Sequence, residues 1–205
     1  IALFCNIIVV SGNSVNYIKA GNLNLRLLAP YIIGSVPLSY IGGSLHIQKE
    51  IFEILLVFVL AVAGILLLIK FKSYDNEEIA YNKVPISFSI LIGGILGFIS
   101  GVVGIGGGIF LSPILFLMRA GLPKHIVTTA SLFIPINSIF GIIGQLSKNE
   151  VFPELINYWY LFIAVLVGGQ FGNFLNLKIF PTRILALVTA TLVLFVAARM
   201  AFRLF

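Results

Sequence analysis

GGILGFISGVVGIGGGIFLSP, residues 93–113, is the stretch that decides how this chain folds. Gly93, Gly97 and Gly101 recur every four residues, so a helix places them on one face, where a neighbouring backbone can approach closely. The stretch lies inside a longer run, Ser87 to Met118, that contains no charged residue. A helix needs about 20 apolar residues to cross a bilayer core, and this run is longer. The pattern therefore predicts a membrane helix that packs tightly on a neighbour.

Four more glycines, Gly104, Gly106, Gly107 and Gly108, crowd into five positions of the same stretch. Each glycine disfavours a continuous helix by about 1 kcal/mol relative to alanine, so we expect the helix to break here. If a second helix begins near Ile109, its free amides and the positive end of its dipole point into the break. The stretch thus predicts an anion site near the middle of the membrane. The alternative is a kink that only accommodates a tilted neighbour.

Composition assigns the rest of the chain to the membrane as well. Of the 205 residues, 60% are hydrophobic and 10% are charged, whereas a soluble domain has about 25% charged residues. We predict an all-α integral membrane protein of the cell membrane with about seven transmembrane helices, one of them broken by the glycine-rich motif. The predicted spans lie near residues 1–18, 27–46, 51–70, 87–119, 125–147, 157–177 and 183–203.

The polar stretch FKSYDNEEIAYNKVP, residues 71–85, separates two weakly similar halves, in which Asn6 and Asn137 occupy matching points. Internal repeats are a common plan for transporters. We expect a first repeat over residues 1–70, a polar cytoplasmic loop over 71–86 and a second repeat over 87–205. The first repeat then lacks its opening helix, and we expect an upstream segment to supply it.

The thirteen lysines and arginines give two possible orientations. If residues 87–119 cross the membrane once, eight basic residues lie on one side and five on the other. If these residues make two passes, the division is nine to four. Both counts place residues 71–85 in the cytoplasm, and neither decides the number of passes.

Several function classes find no support in the sequence. The basic residues are scattered between apolar runs and form no face for nucleic acid. Residues 104–109, GIGGGI, lack the last glycine of a dinucleotide fingerprint, and no phosphate-loop lysine follows them. Neither His46 nor His125 has a motif-placed serine, and Cys5 is the single cysteine. We therefore expect no catalytic residue, no metal site and no cofactor.

Neutral polar side chains inside the spans are the remaining candidates for a site. No aspartate or glutamate lies deep in a predicted span, so amides, hydroxyls and helix ends must form the site, and these groups suit an anion. For any one of the polar side chains, a hydrogen bond between helices is the alternative role. The predicted site residues are Gly104, Gly106, Gly107, Gly108, Thr128, Thr129, Ser131, Asn137 and Asn6.

The run GVVGIGGGIFLSPILFLMRAGLPKHIVTTASLF, residues 101–133, resembles the sulfite exporter (TauE/SafE) family of membrane transport proteins. The likeness rests on the glycine motif, on Pro113 and Leu115, on the turn at 121–123, and on the small and hydroxylated residues at 128–131. It implies two four-helix repeats and export of small sulfur-containing anions such as sulfite, sulfoacetate or thiosulfate. The chain departs from the family pattern because the first helix and its own glycine motif are absent.

The predicted function is transport of small, sulfur-containing anions by alternating access around the broken helix. The expected partners are the lipid bilayer and a small anionic substrate, without nucleic acid. One alternative is an anion channel, which the lack of a buried acidic residue leaves open. Another is a structural membrane protein in which the glycines only pack helices, and an enzyme acting on lipid is the least favoured.

Overall fold

The computed structural model describes residues 1–69, 84–147, 158–178 and 182–204, and within these ranges it contains helices and no strand. Most of the predicted cytoplasmic loop, residues 71–83, lies outside the described residues. The described helices are α1 (Ala2–Lys19), α2 (Leu25–Ser44), α3 (Lys49–Ile69), α4 (Ile86–Val103), α5 (Gly108–Leu117), α6 (Pro123–Leu146), α7 (Trp159–Lys178) and α8 (Thr182–Leu204).

The helices have the length and the surface of membrane spans. Four stretches are long and apolar enough to cross a bilayer: Leu25–Ser44, Ile86–Val103, Lys124–Leu146 and Leu187–Leu204. Large apolar side chains also face outward, among them Ile33, Phe58 and Phe195, which are 63%, 66% and 66% exposed. A surface of this kind is stable against lipid and not against water. The predicted all-α, multi-pass membrane fold is confirmed.

The chain packs as two compact units, each with its own core. The first contains α1, α2, α4, α5, α6 and the beginning of α7. The second contains α3, the end of α7 and α8, and in it α3 packs along α8. The glycine-rich stretch lies wholly in the first unit.

The close approach predicted for the glycines of α4 is confirmed, and the neighbour is α2. In chain order along both helices, Gly93 contacts Tyr31, Gly97 contacts Ser35 and Gly101 contacts Ser39. A side chain at Gly97 would bring its Cβ within 2.5 Å of the Ser35 Cα, which no real pair of helices tolerates. Because residue numbers rise together along the contact, α2 and α4 are parallel.

The chain between α4 and α6 turns back on itself. Ile86 lies seven residues before Gly93, and Asn24, the N-cap of α2, lies seven residues before Tyr31, so α2 and α4 begin at the same end of the unit. The far end of α5 returns to that end.

Two contacts show that the chain returns to this end after α5. A Cβ on Gly121 would lie 3.5 Å from Leu27 Cδ2, and His125 Nδ1 lies 2.8 Å from the Asn22 carbonyl oxygen. We call α4 and α5 the hairpin, residues 104–107 its tip, and the end marked by Asn22, Leu27, Gly121 and His125 its base. Residues 87–119 therefore return to the end of the unit at which they begin, and the number of transmembrane passes stays a prediction.

The tip lies at the middle of α6. A Cβ on Gly106 or Gly108 would meet the side chain of Ile134, which is the twelfth of the 24 residues of α6. A helix of this length spans about 36 Å, slightly more than the bilayer core. The hairpin thus enters from one end of the unit, and α5 begins beside the middle of α6.

Candidate binding site at the hairpin tip

The backbone of the tip takes conformations that only glycine adopts readily. Gly104 caps the C-terminus of α4 with φ 78°, and its N–H donates to the Ser100 carbonyl at 2.8 Å. Gly106 has φ 82°, and Gly107, the N-cap of α5, has φ 70°. Left-handed φ values cost other residues about 1–2 kcal/mol each, so the glycine cluster is required by this turn. The predicted helix break is confirmed.

The tip leaves backbone donors free. Gly108 N–H donates to the Gly106 carbonyl at 2.9 Å, and the amides of Phe110 and Leu111 both donate to the Gly107 carbonyl. In the described part of the chain, the N–H groups of residues 105–107 have no backbone acceptor. These groups precede the first turn of α5, where the helix dipole is positive, so they favour an anion.

One face of α6 forms a wall beside the tip. Ala130, Ile134 and Ser138 follow one another at intervals of four residues, so they share that face. The Ala130 carbonyl lies 2.6 Å from the Cβ position of Gly108, and Ser138 Oγ lies 3.4 Å from that of Gly106. The Ile134 side chain lies between these two polar atoms and contacts the Cβ positions of both Gly106 and Gly108.

Asn6 approaches the tip from α1. Its side-chain amide Nδ2 donates to the Gly104 carbonyl at 3.4 Å and lies 3.1 Å from the Cβ position of Gly106. The predicted residues Asn6, Gly104 and Gly106 are therefore neighbours in space, although 98 positions separate Asn6 from Gly104.

Two buried hydroxyls beside the tip were not assigned to the predicted site. Ser100 and Ser138 are both 0% exposed, and neither Oγ has a hydrogen-bond partner among the described residues. Ser100, on the last turn of α4, has its Cβ 3.3 Å from the Cβ position of Gly107. Its place one helical turn before Gly104 is the sequence feature that points to it, because that turn ends in the break.

The other predicted side chains lie along α6 with partners of their own. Thr128 Oγ1 donates to the Lys124 carbonyl at 2.7 Å, and Ser131 Oγ lies 3.0 Å from Ser14 Oγ of α1. Asn137 Nδ2 donates to the Phe133 carbonyl at 2.8 Å.

Two polar atoms of this group are unpaired. Asn137 Oδ1 and Thr129 Oγ1 are buried without a partner in the described residues. No contact of Thr128, Thr129 or Ser131 with the tip is found in the described part of the chain, and the role of these residues in binding stays a prediction.

The fold and the site define the class: a multi-pass α-helical membrane protein in which backbone donors line a glycine-rich helix break. The model of the family described as sulfite exporter TauE/SafE matches residues 1–200, and the chain belongs to this family. The family is one of membrane transporters, so this chain is a membrane transport protein that acts on a small molecule within the lipid bilayer.

Curated relatives agree with this assignment. A probable membrane transporter protein of Sinorhizobium fredii is 26% identical, over 94% of this chain and 78% of its own length. A probable membrane transporter protein of Methanocaldococcus jannaschii is 29% identical, over 93% of this chain and 75% of its own length. A third, from Bacillus subtilis, is 24% identical over 84% of this chain and 68% of its own length. No solved structure gives a significant match.

Proposed function

We propose that this transporter carries small sulfur-containing anions of the sulfite, sulfonate or thiosulfate type, and that they bind at the hairpin tip. The observation that carries the proposal is the group of N–H groups at residues 105–107, which have no backbone acceptor among the described residues and lie beside the middle of α6. A group of oriented amides at a helix N-terminus binds oxyanions without needing a positively charged side chain.

The neutral character of the surroundings supports the same class of substrate. The side chains found beside the tip are those of Ala2, Leu3, Asn6, Ser100, Phe133, Ile134 and Ser138, and none of them ionises in the range of physiological pH. Amides and hydroxyls can compensate an anion that has lost its water. The family description, sulfite exporter, points to sulfur anions among the possible anions.

A matched pair of alanine variants tests the location of the site. Gly104 and Gly106 have nearly equal φ values, 78° and 82°, so alanine at either position costs about 1–2 kcal/mol of backbone strain. They differ in the space that the methyl group enters. At Gly104 the nearest atom is Leu3 Cγ at 3.8 Å, whereas at Gly106 the methyl group meets Ile134 Cγ2 at 2.8 Å, Asn6 Nδ2 at 3.1 Å and Ser138 Oγ at 3.4 Å. Because the contact with Ile134 can also lower the yield of folded protein, the flux of the two variants is compared at equal folded yield.

We expect Gly106→Ala to lose at least tenfold in flux of radiolabelled sulfite and thiosulfate into proteoliposomes, and Gly104→Ala to stay within about threefold of wild type. Saturable wild-type flux would also separate a transporter from a channel. Equal loss in both variants at equal folded yield would place the effect in strain and contradict a site at the tip. Absence of flux for every small sulfur anion tested, in well-folded wild type, would contradict the substrate class.

A further inference from the structure

We propose that Ser100 and Ser138 are the specificity-determining side chains of this transporter, which hold two separate oxygens of one oxyanion and so exclude halide ions. The inference rests on the proposed function, because it concerns the same site. These two hydroxyls make no hydrogen bond within the described residues and are therefore available to a substrate.

The hydroxyls of Ser100 and Ser138 are buried and have no hydrogen-bond partner among the described residues. A buried hydroxyl without a partner lowers the stability of the folded protein, and most buried polar groups are therefore paired. Other serines of the same unit follow that rule: Ser39 Oγ donates to the Asn137 carbonyl at 2.8 Å, and Ser14 Oγ pairs with Ser131. Thr129 Oγ1 and Asn137 Oδ1 of the same unit are also buried without a partner among the described residues, but Ser100 and Ser138 are the two hydroxyls that flank the tip. A ligand on the tip can therefore supply the partner of both.

The two serines lie on opposite sides of the tip. Ser100 belongs to α4 and faces Gly107, whereas Ser138 belongs to α6 and faces Gly106, so they approach adjacent residues of the tip from different helices. A rotatable hydroxyl on each helix can donate to a different oxygen of an anion seated on the amides. A monatomic halide offers one centre to both donors, so it gains less from the second hydroxyl than an oxyanion does.

The alternative is that both serines are small residues chosen for packing. Ser35 offers a control for this alternative, since it is also 0% exposed but lies against Gly97, away from the tip, and bonds to Ile32 of its own helix. If packing were the only role, alanine at Ser100 or Ser138 would leave substrate affinity unchanged.

The test measures the KM for sulfite flux in proteoliposomes and the thermal midpoint of the purified protein for Ser100→Ala, Ser138→Ala and Ser35→Ala. We expect the KM to rise about tenfold or more in the first two variants, as for loss of a hydrogen bond to a charged group. We also expect their thermal midpoints to equal or exceed that of wild type, because an unpaired hydroxyl is removed. Ser35→Ala should keep the wild-type KM.

Two further measurements complete the test. Ser138→Cys keeps the volume but donates weakly, so its KM should rise as in Ser138→Ala. Chloride should inhibit wild-type sulfite flux far less than methanesulfonate does, and this difference should shrink in both alanine variants.

An unchanged KM in both alanine variants, with wild-type flux present, would overturn the inference and leave the proposed function standing. The proposed function is tested separately: it fails if the wild type carries no small sulfur anion, or if Gly104→Ala and Gly106→Ala lose flux equally. A lowered thermal midpoint together with an unchanged KM would assign the two serines to packing.

Discussion

Asn6 links the first helix to the tip through one hydrogen bond, from Nδ2 to the Gly104 carbonyl. Asn6→Asp keeps the shape of the side chain, removes this donor and adds a carboxylate beside unpaired amides. Because the carboxylate is itself an anion, we expect it to compete with substrate for the tip at neutral pH. Lowering the pH should neutralise the carboxylate and restore part of the flux.

The measurement is sulfite flux by Asn6→Asp relative to wild type at each pH, since sulfite itself also binds protons. Asn6→Ala serves as the control that loses the donor without gaining charge, and its relative flux should not depend on pH. Equal flux for the aspartate and alanine variants at neutral pH would show that the substrate does not come close to residue 6.

Among the residues of the candidate site, the sequence identifies the glycines of the tip more readily than the polar side chains around it. Gly104, Gly106 and Gly107 are identifiable because a cluster of glycines has few explanations other than a turn with positive φ. Ser100 and Ser138 are harder to identify: the position of Ser100 one turn before the break points to it, but a serine in an apolar helix usually bonds to its own backbone. Only the three-dimensional structure shows which hydroxyls remain unpaired.

The packing of α4 on α2 depends on the absence of side chains at the contact. At Gly97 an added Cβ would meet Ser35 Cα at 2.5 Å and Ser35 Cβ at 2.7 Å, so Gly97→Ala forces two long helices apart. Overpacking of this kind typically costs about 1–3 kcal/mol. We expect a lower thermal midpoint and a lower yield of folded protein in detergent.

Gly168→Ala on α7 is the matched control for this prediction. Gly168 has no atom within 4 Å of its Cβ position, and alanine favours a helix over glycine by about 1 kcal/mol. We expect this variant to fold as well as wild type or better. A thermal midpoint that falls equally in both variants would contradict the role of the glycine contact.

The hairpin is the element that sequence reasoning leaves undecided. The spacing of Gly93, Gly97 and Gly101 predicts the packed face, and the glycine cluster predicts the break. An uncharged run of this length nevertheless fits one tilted crossing as well as an entry and a return. The contact between Gly121 and Leu27 decides the matter, and it joins residues that no local pattern connects.

The division into two repeats stays a prediction for the whole molecule. If it is correct, α1 corresponds to α6 and α3 corresponds to α8. Within the first unit α1 packs on α6, and within the second unit α3 packs on α8. Pairing of corresponding helices is what a pseudo-two-fold repeat produces, so these contacts support the proposed division at 71–86.

The charge pattern of the first unit indicates its orientation in the membrane. Lys19 ends α1, Arg26 begins α2, Arg119 follows α5 and Lys124 begins α6, and all four side chains are exposed at the base of the hairpin. Basic residues concentrate on the cytoplasmic side of membrane proteins, so we propose that the base faces the cytoplasm. The same charges would raise the local concentration of anions at the side from which an exporter loads.

The two ends of α6 provide a direct test of this orientation. Lys124 and Ser147 are both exposed and lie at opposite ends of one membrane-length helix. In a Cys5→Ser background, which removes the single native cysteine, each position is replaced by cysteine and intact cells are treated with a membrane-impermeant maleimide. We expect Ser147→Cys to react in intact cells and Lys124→Cys to react only after the membrane is permeabilised. The reverse pattern would place the hairpin base outside and contradict the proposed orientation.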